Sequence, residues 1–285
     1  MEIILLFLPV FGWGAMSIFA TIVKEKTIFN QVVGTAVGIL VTSAIIYACY
    51  RPEINPVIFG VSFLAGLCWV IGQVGQFFSF NEIGVSTTMP ISTATQLIGV
   101  PICGVLLFGE WHSPMSKIMG AIGIIALIIG VLFTSKTEEG TPGASASKKV
   151  IPILILTQLG YVASSVIPKS IVASGIAILF GQAVGVFVGS IAYVIYKGQA
   201  KAMLQKASYK ILPAGICWAL GTLGYTLSMQ HVGVNMAFVI AQLCVVVSTV
   251  SGIVILKETK TKQGLIYTFI GLALVIAGAV LTTLF

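Results

Sequence analysis

Gln73, Gln76, Thr88, Ser92, Gln96, Gln158, Gln182, Asn235 and Gln242 all sit within apolar runs, with no acid or base beside them at depth. All eight acidic residues are Glu: Glu2, Glu25, Glu53, Glu82, Glu110, Glu138, Glu139 and Glu258. Each falls at the end of an apolar run or between two, as do His112 and His231. The runs therefore hold no paired carboxylates, no metal-ligand cluster and no nucleophile beside a base, which argues against a hydrolase or metalloenzyme. What remains at depth is neutral. Amides and hydroxyls both donate and accept hydrogen bonds, which suits a neutral, hydroxyl-rich solute. An organic cation would favour a buried carboxylate, and a phosphorylated solute a buried Lys or Arg. Trp13, Trp69, Tyr161, Trp218 and Tyr225 add aromatic faces on which the C–H surface of a sugar can pack.

Spacing groups these residues. Trp69, Gln73, Gln76 and Phe80 stand at i, i+4, i+7 and i+11 and share one helical face. Gly72, Gly75 and Ser79 make a small-residue stripe beside it, suited to close helix packing. The pattern recurs. AGLCWVIGQVGQ (65–76) returns as AGICWALGTLGY (214–225), where Trp218, Thr222 and Tyr225 stand beside Gly221, Gly224 and Ser228. QVVGTAVG (31–38) returns as QAVGVFVG (182–189), Gly-Val (84–85) as Gly-Val (233–234), and LFGE (107–110) as ILKE (255–258). Within IGVSTTMPISTATQLIG (83–99), Pro90 removes a backbone hydrogen bond, so a kink that frees carbonyls is expected there. The counterpart run lacks Pro, and its Asn235 and Gln242 share a face. In ungapped register Gln242 stands opposite Thr93 rather than Gln96, an asymmetry that fits one off-axis ligand. Glu110 and Glu258 end equivalent runs on opposite sides. They are candidates for coupling or gating, against the plainer reading of solvated helix-end charges.

The elements that must hold these residues are membrane helices. Hydrophobic residues make up 58% of the chain and charged residues 8%, where a soluble domain carries about 25% charged. Mean hydropathy is +1.08. Ten runs can each span the hydrocarbon core as a helix: 3–23, 29–49, 56–79, 85–108, 117–135, 150–168, 176–196, 210–229, 234–256 and 264–284. The alternating ten-residue strands of a membrane barrel are not found. The polar stretch KTEEGTPGASASKK (136–149) reads as a flexible linker between residues 1–135 and 150–285. Each half has an odd number of spans, so a tandem repeat in sequence becomes an inverted repeat in space. Such repeats mark secondary transporters with a site near the bilayer midplane. The expected fold is thus an all-α integral membrane protein of ten helices in two inverted five-helix repeats. Arg51, Lys117 and Lys169 lie on the side of the N-terminus and all other lysines on the opposite side, which makes that lysine-rich side cytoplasmic and places both termini outside. This topology accounts for the net charge of +7 without nucleic acid. Cys49, Cys68, Cys103, Cys217 and Cys244 read as small hydrophobes. The first run has no basic lead-in and reads as a retained helix rather than a signal peptide.

FGWGAMS (11–17), NQVVGTAVG (30–38), CWVIGQVGQ (68–76), IGVSTTMPISTATQLIG (83–99), LFGEW (107–111) and AQLCVVVSTVSGIVILKE (241–258) together resemble the bacterial glucose uptake protein family. That family is also called the glucose/ribose porter family of the drug/metabolite transporter superfamily. The resemblance covers nearly the whole chain. It implies ten helices in two repeats, a cell-membrane location, and uptake of a monosaccharide, glucose before ribose, with a proton as coupling ion and no other cofactor or metal. No carboxylate lies within the spans, so an uncoupled facilitator stays open, as does a more distant exporter of small metabolites or drugs. A monomer or weak homo-oligomer is expected, because ten spans can enclose a path in one chain.

Overall fold

The computed structural model describes residues 2–109, 111–134, 144–232, 237 and 240–284. Among these the chain forms helices and no strand. They are α1 (Glu2–Thr21), α2 (Ile28–Tyr50), α3 (Pro56–Ile83), α4 (Val85–Phe108), α5 (Pro114–Thr134), α6 (Ala144–Val166), α7 (Gly175–Tyr196), α8 (Lys206–Val232), α9 (Cys244–Val254) and α10 (Lys262–Leu284). Nine of them, all but α9, are long and apolar enough to cross a membrane. Caps set several boundaries. The Thr27 hydroxyl accepts from the Asn30 N–H at 3.3 Å while the Asn30 amide oxygen accepts from the Thr27 N–H at 2.9 Å, a reciprocal cap that starts α2. Asn55 accepts from the Ile58 N–H at 2.8 Å, and Pro56 occupies the first helical position of α3.

α6 and the ninth run depart most from expectation. α6 begins at Ala144 and so takes in the end of the expected linker; residues 135–143 lie outside the described ones. α4 runs helical through both Pro90 and Pro101. An interruption falls in the ninth run, expected over 234–256. There the N–H groups of Leu243, Val245 and Val246 donate to Ile240, Gln242 and Leu243 at 3.0, 3.1 and 3.0 Å. This i→i−3 spacing is a tightened turn, and regular helix resumes only at Cys244.

The helices pack reciprocally. α1 lies on α8 as α6 lies on α3; α2 lies on α8 as α7 lies on α3; α1 touches α9 as α6 touches α4; and α5 pairs with α10. Glycines make these approaches. Gly12 abuts the Cys217 carbonyl and Gly221, and Gly160 abuts the Cys68 carbonyl and Gly72. Gly38 meets Leu212 and Gly215, and Gly185 meets Phe63 and Gly66. Leu212 and Gly215 follow Phe63 and Gly66 by 149 residues, so Gly38 answers to Gly185. The sequence match of QVVGTAVG to QAVGVFVG had paired Gly38 with Gly189 instead, one helical turn away.

Polarity is inverted relative to a soluble fold. Ile4, Phe11, Ile71, Leu106, Leu132 and Leu156 face outward, whereas Gln31, Gln73, Gln158 and Ser92 are fully buried. In water so large an apolar surface would be untenable; against lipid it is the solvent-exposed face.

Candidate functional site

The 3.6-residue period of α3 puts Trp69, Gln73, Gln76 and Phe80 on its inner face, and all four are buried. α6 brings Gln158 and Tyr161 against them, and α4 brings Ser92 and Gln96. The Gln76 amide donates to Ser92 Oγ at 2.8 Å, and the Ser92 hydroxyl donates to Gln158 Oε1 at 2.8 Å. Gln96 Nε2 donates to the Ser92 carbonyl at 3.2 Å, with Gln158 Oε1 at 3.4 Å. The Tyr161 hydroxyl lies 2.5 Å from Gln73 Oε1 and 3.1 Å from Gln76 Oε1. Three helices are thus joined by neutral hydrogen bonds.

One donor in this network is left over. Gln73 is 2% exposed, and its Nε2 has no hydrogen-bond partner. Leaving a buried donor unpaired costs about 1–3 kcal/mol, which a ligand acceptor would recover. Aromatic rings flank it. Trp69 packs on Tyr161 at 5.4 Å and meets Trp218 of α8 edge-on at 5.2 Å. Beyond Trp218 on α8, Thr222 accepts from Trp13 Nε1 at 3.2 Å, and the Trp13 and Tyr225 rings lie 5.7 Å apart. The arrangement can hold hydroxyls with amides and sugar C–H faces with rings. It offers no side chain with a formal charge.

The structure therefore brings together Trp13, Trp69, Gln73, Gln76, Ser92, Gln96, Trp218 and Tyr225. Thr88 stands apart: its hydroxyl donates to the Gly84 carbonyl at 2.7 Å in the first turn of α4. Gln182 donates to Ser164 Oγ at 2.7 Å, bridging α7 to α6. Gln242 sits at the tightened turn of the ninth run, where its carbonyl accepts from Val245. Pro90 lies inside α4 between Met89 and Ser92. Glu258 lies against the start of α4. Asn235 and Glu110 lie outside the described residues. Gln158 and Tyr161, which the sequence offers as a neutral amide and an aromatic face at depth, join the site although no spacing groups them with the α3 face. Position adds a signal for Tyr161: it neighbours Gly160 as Trp13 neighbours Gly12, and those glycines pack reciprocally.

Residues 4–285 match the family described as sugar transport protein. A putative sugar uptake protein of Lactobacillus johnsonii is 49% identical over 287 residues, covering 100% of both chains. The glucose uptake protein GlcU of Bacillus subtilis is 37% identical over 285 residues, covering 98% of this chain and 97% of its own. A solved crystal structure with 14% sequence identity superposes with a TM-score of 0.57 over 99% of this chain and 98% of its own, a likeness of fold alone. The chain belongs to the sugar transport protein family, whose members are transporters rather than enzymes.

Proposed function

We propose that this chain takes up a neutral monosaccharide, glucose before ribose, at the central cluster of α3, α4 and α6. The observation that carries the reading is the buried, unpaired Gln73 amide beside the Trp69–Trp218 pair. A sugar hydroxyl is an acceptor that needs no counter-charge, and the rings suit its C–H face. The name of the Bacillus subtilis relative supports glucose. The proposed cycle is alternating access of two inverted five-helix units, 1–135 and 150–285, and the reciprocal packing of the helices supports it. The lysine-rich side is taken as cytoplasmic, with both termini outside, in the cell membrane. A single chain encloses the site, so a monomer suffices.

Proton symport is the coupled form of this reading, with a helix-end glutamate as carrier. An uncoupled facilitator is the second form, favoured by the neutral composition of the central cluster. Uptake of labelled glucose and ribose into proteoliposomes, with and without an inward proton gradient, separates them. Saturable glucose uptake above the ribose control, concentrated by the gradient, is the expected result. Uptake that only equilibrates would leave the facilitator. No movement of either sugar through folded protein would sink the sugar assignment.

A further inference from the structure

The turn after α9 delivers a carboxylate to another helix. The Ile255 and Leu256 N–H groups both donate to the Ser251 carbonyl, at 2.8 and 3.1 Å, and the Glu258 N–H donates to the Gly252 carbonyl at 3.2 Å. Lys257 adopts φ of 57°, a left-handed conformation unusual outside glycine. The turn aims Glu258 at the start of α4. The Val85 N–H donates to Oε1 at 2.5 Å and the Ser86 N–H to Oε2 at 2.8 Å. Both oxygens are used, and an anion at a helix N-terminus meets unpaired N–H groups and the positive end of the dipole. Two glycines make the cradle. A Cβ on Gly84 would stand 2.9 Å from Glu258 Cδ, and one on Gly252 would stand 3.0 Å from Oε2. Lys260 is partly buried and bonded through Nζ to Thr268 Oγ1 at 2.8 Å; burial pushes its pKa down, and the Glu258 charge works against that.

The same packed faces hold a defect. Ser86 Oγ on α4 and Thr249 Oγ1 on α9, one turn before Gly252, are buried without hydrogen-bond partners. Water would satisfy both if the faces parted, so the closed arrangement is held together against a penalty. α4 also carries Ser92 of the central cluster, six residues and about 9 Å along the helix from Ser86.

We propose that Glu258 is a latch: its carboxylate pins the start of α4 to the α9–α10 turn and closes the central site on the lysine-rich side. Glu258 does not touch the substrate. It acts through α4, and its release opens that side. The inference rests on reading the central cluster as a transport site. Oriented proteoliposomes carrying wild type, Glu258→Gln and Ser86→Ala test it through the half-saturating glucose concentration at each face. Weakening the latch lowers the population closed on the lysine-rich side. In Glu258→Gln the half-saturating concentration should therefore rise about tenfold at the opposite face and fall at the lysine-rich face. Ser86→Ala relieves the unpaired hydroxyl and should shift both values the other way. Values that stay fixed, or move together, overturn the latch.

Hydrogen exchange gives a readout that needs no sugar. The Val85 and Ser86 amides should lose at least tenfold protection in Glu258→Gln, while α5 and α10 keep theirs and so report an intact fold. Unchanged protection at the start of α4 overturns the proposal. Lost protection in a protein that moves no glucose upholds the latch and overturns the sugar reading. Should Glu258→Gln not fold, Gly252→Ala crowds the carboxylate without removing it and should give the same local loss.

Discussion

Trp13 and Tyr161 stand in reciprocal places and do different chemistry. Each follows a glycine that packs on α8 or α3, and each reaches the polar position one turn beyond. Tyr161 finds Gln73 and Gln76, amides that are buried and tied onward to Ser92 and Gln158. Trp13 finds Thr222 and the Tyr225 ring, all half-buried, and Thr222 turns its own proton back to the Trp218 carbonyl at 2.9 Å. Packing is shared between the two regions because glycine contacts depend on backbone shape. Hydrogen bonding is not shared, because it depends on which side chain occupies each place. The difference teaches that reciprocally packed helices can present one polar wall and one aromatic wall, and a sugar bound between them would meet different chemistry on its two sides.

The largest expected effect follows from the unpaired amide. Gln73→Leu should raise the half-saturating glucose concentration by about tenfold to a hundredfold, the loss of one to two hydrogen-bond increments of 1.4 kcal/mol. Thermal unfolding in detergent should move little, because the substitution removes a buried donor without a partner and the Tyr161 hydroxyl released from Gln73 Oε1 keeps Gln76 Oε1 at 3.1 Å. Loss of uptake together with a large fall in stability would make Gln73 a structural bridge and dissolve the contrast between the two walls.

The helical face of α3 was legible from W-x3-Q-x2-Q, because a 3.6-residue period fixes which side chains travel together. Its partners on α6 were not. Which residue of a distant helix arrives opposite Gln73 depends on register, and register here is set by glycine contacts. The slip between α2 and α7 shows why. Gly34 and Gly38 on one helix, and Gly181, Gly185 and Gly189 on the other, recur every four residues. A shift of one turn keeps the same face inward, so sequence alone scores two registers alike. The tightened turn at Gln242–Leu243 was equally hidden, since AFVIAQLCVVV (237–247) contains neither Gly nor Pro to announce a break.

A middle effect is expected at the hydroxyl that joins the polar wall. Tyr161→Phe keeps the ring against Trp69 but strips Gln73 Oε1 of its 2.5 Å partner. A buried acceptor left unpaired costs about 1–3 kcal/mol. Stability should fall by that amount, and glucose half-saturation should rise by about tenfold. Thermal unfolding and uptake measured on the same preparation check both. A fall in stability with unchanged affinity would place Tyr161 outside the sugar site and leave the amides to act without it.

The smallest effect belongs to the aromatic wall, and it is the sharpest test of the asymmetry. Thr222→Val keeps shape and removes the acceptor for Trp13 Nε1, a 3.2 Å bond between half-buried groups. An ordinary neutral hydrogen bond contributes about 0.5–1.5 kcal/mol, and here the half-buried indole N–H can turn to water. Half-saturation should change by less than about threefold, the lower part of that energy range. The Trp13 and Tyr225 rings remain to hold a C–H face. If Thr222→Val were as damaging as Gln73→Leu, the two reciprocal positions would be equal in function. The ligand would then touch both walls through hydroxyls, and chemical asymmetry between Gln73 and Thr222 could no longer be taken as the mark of an off-axis sugar.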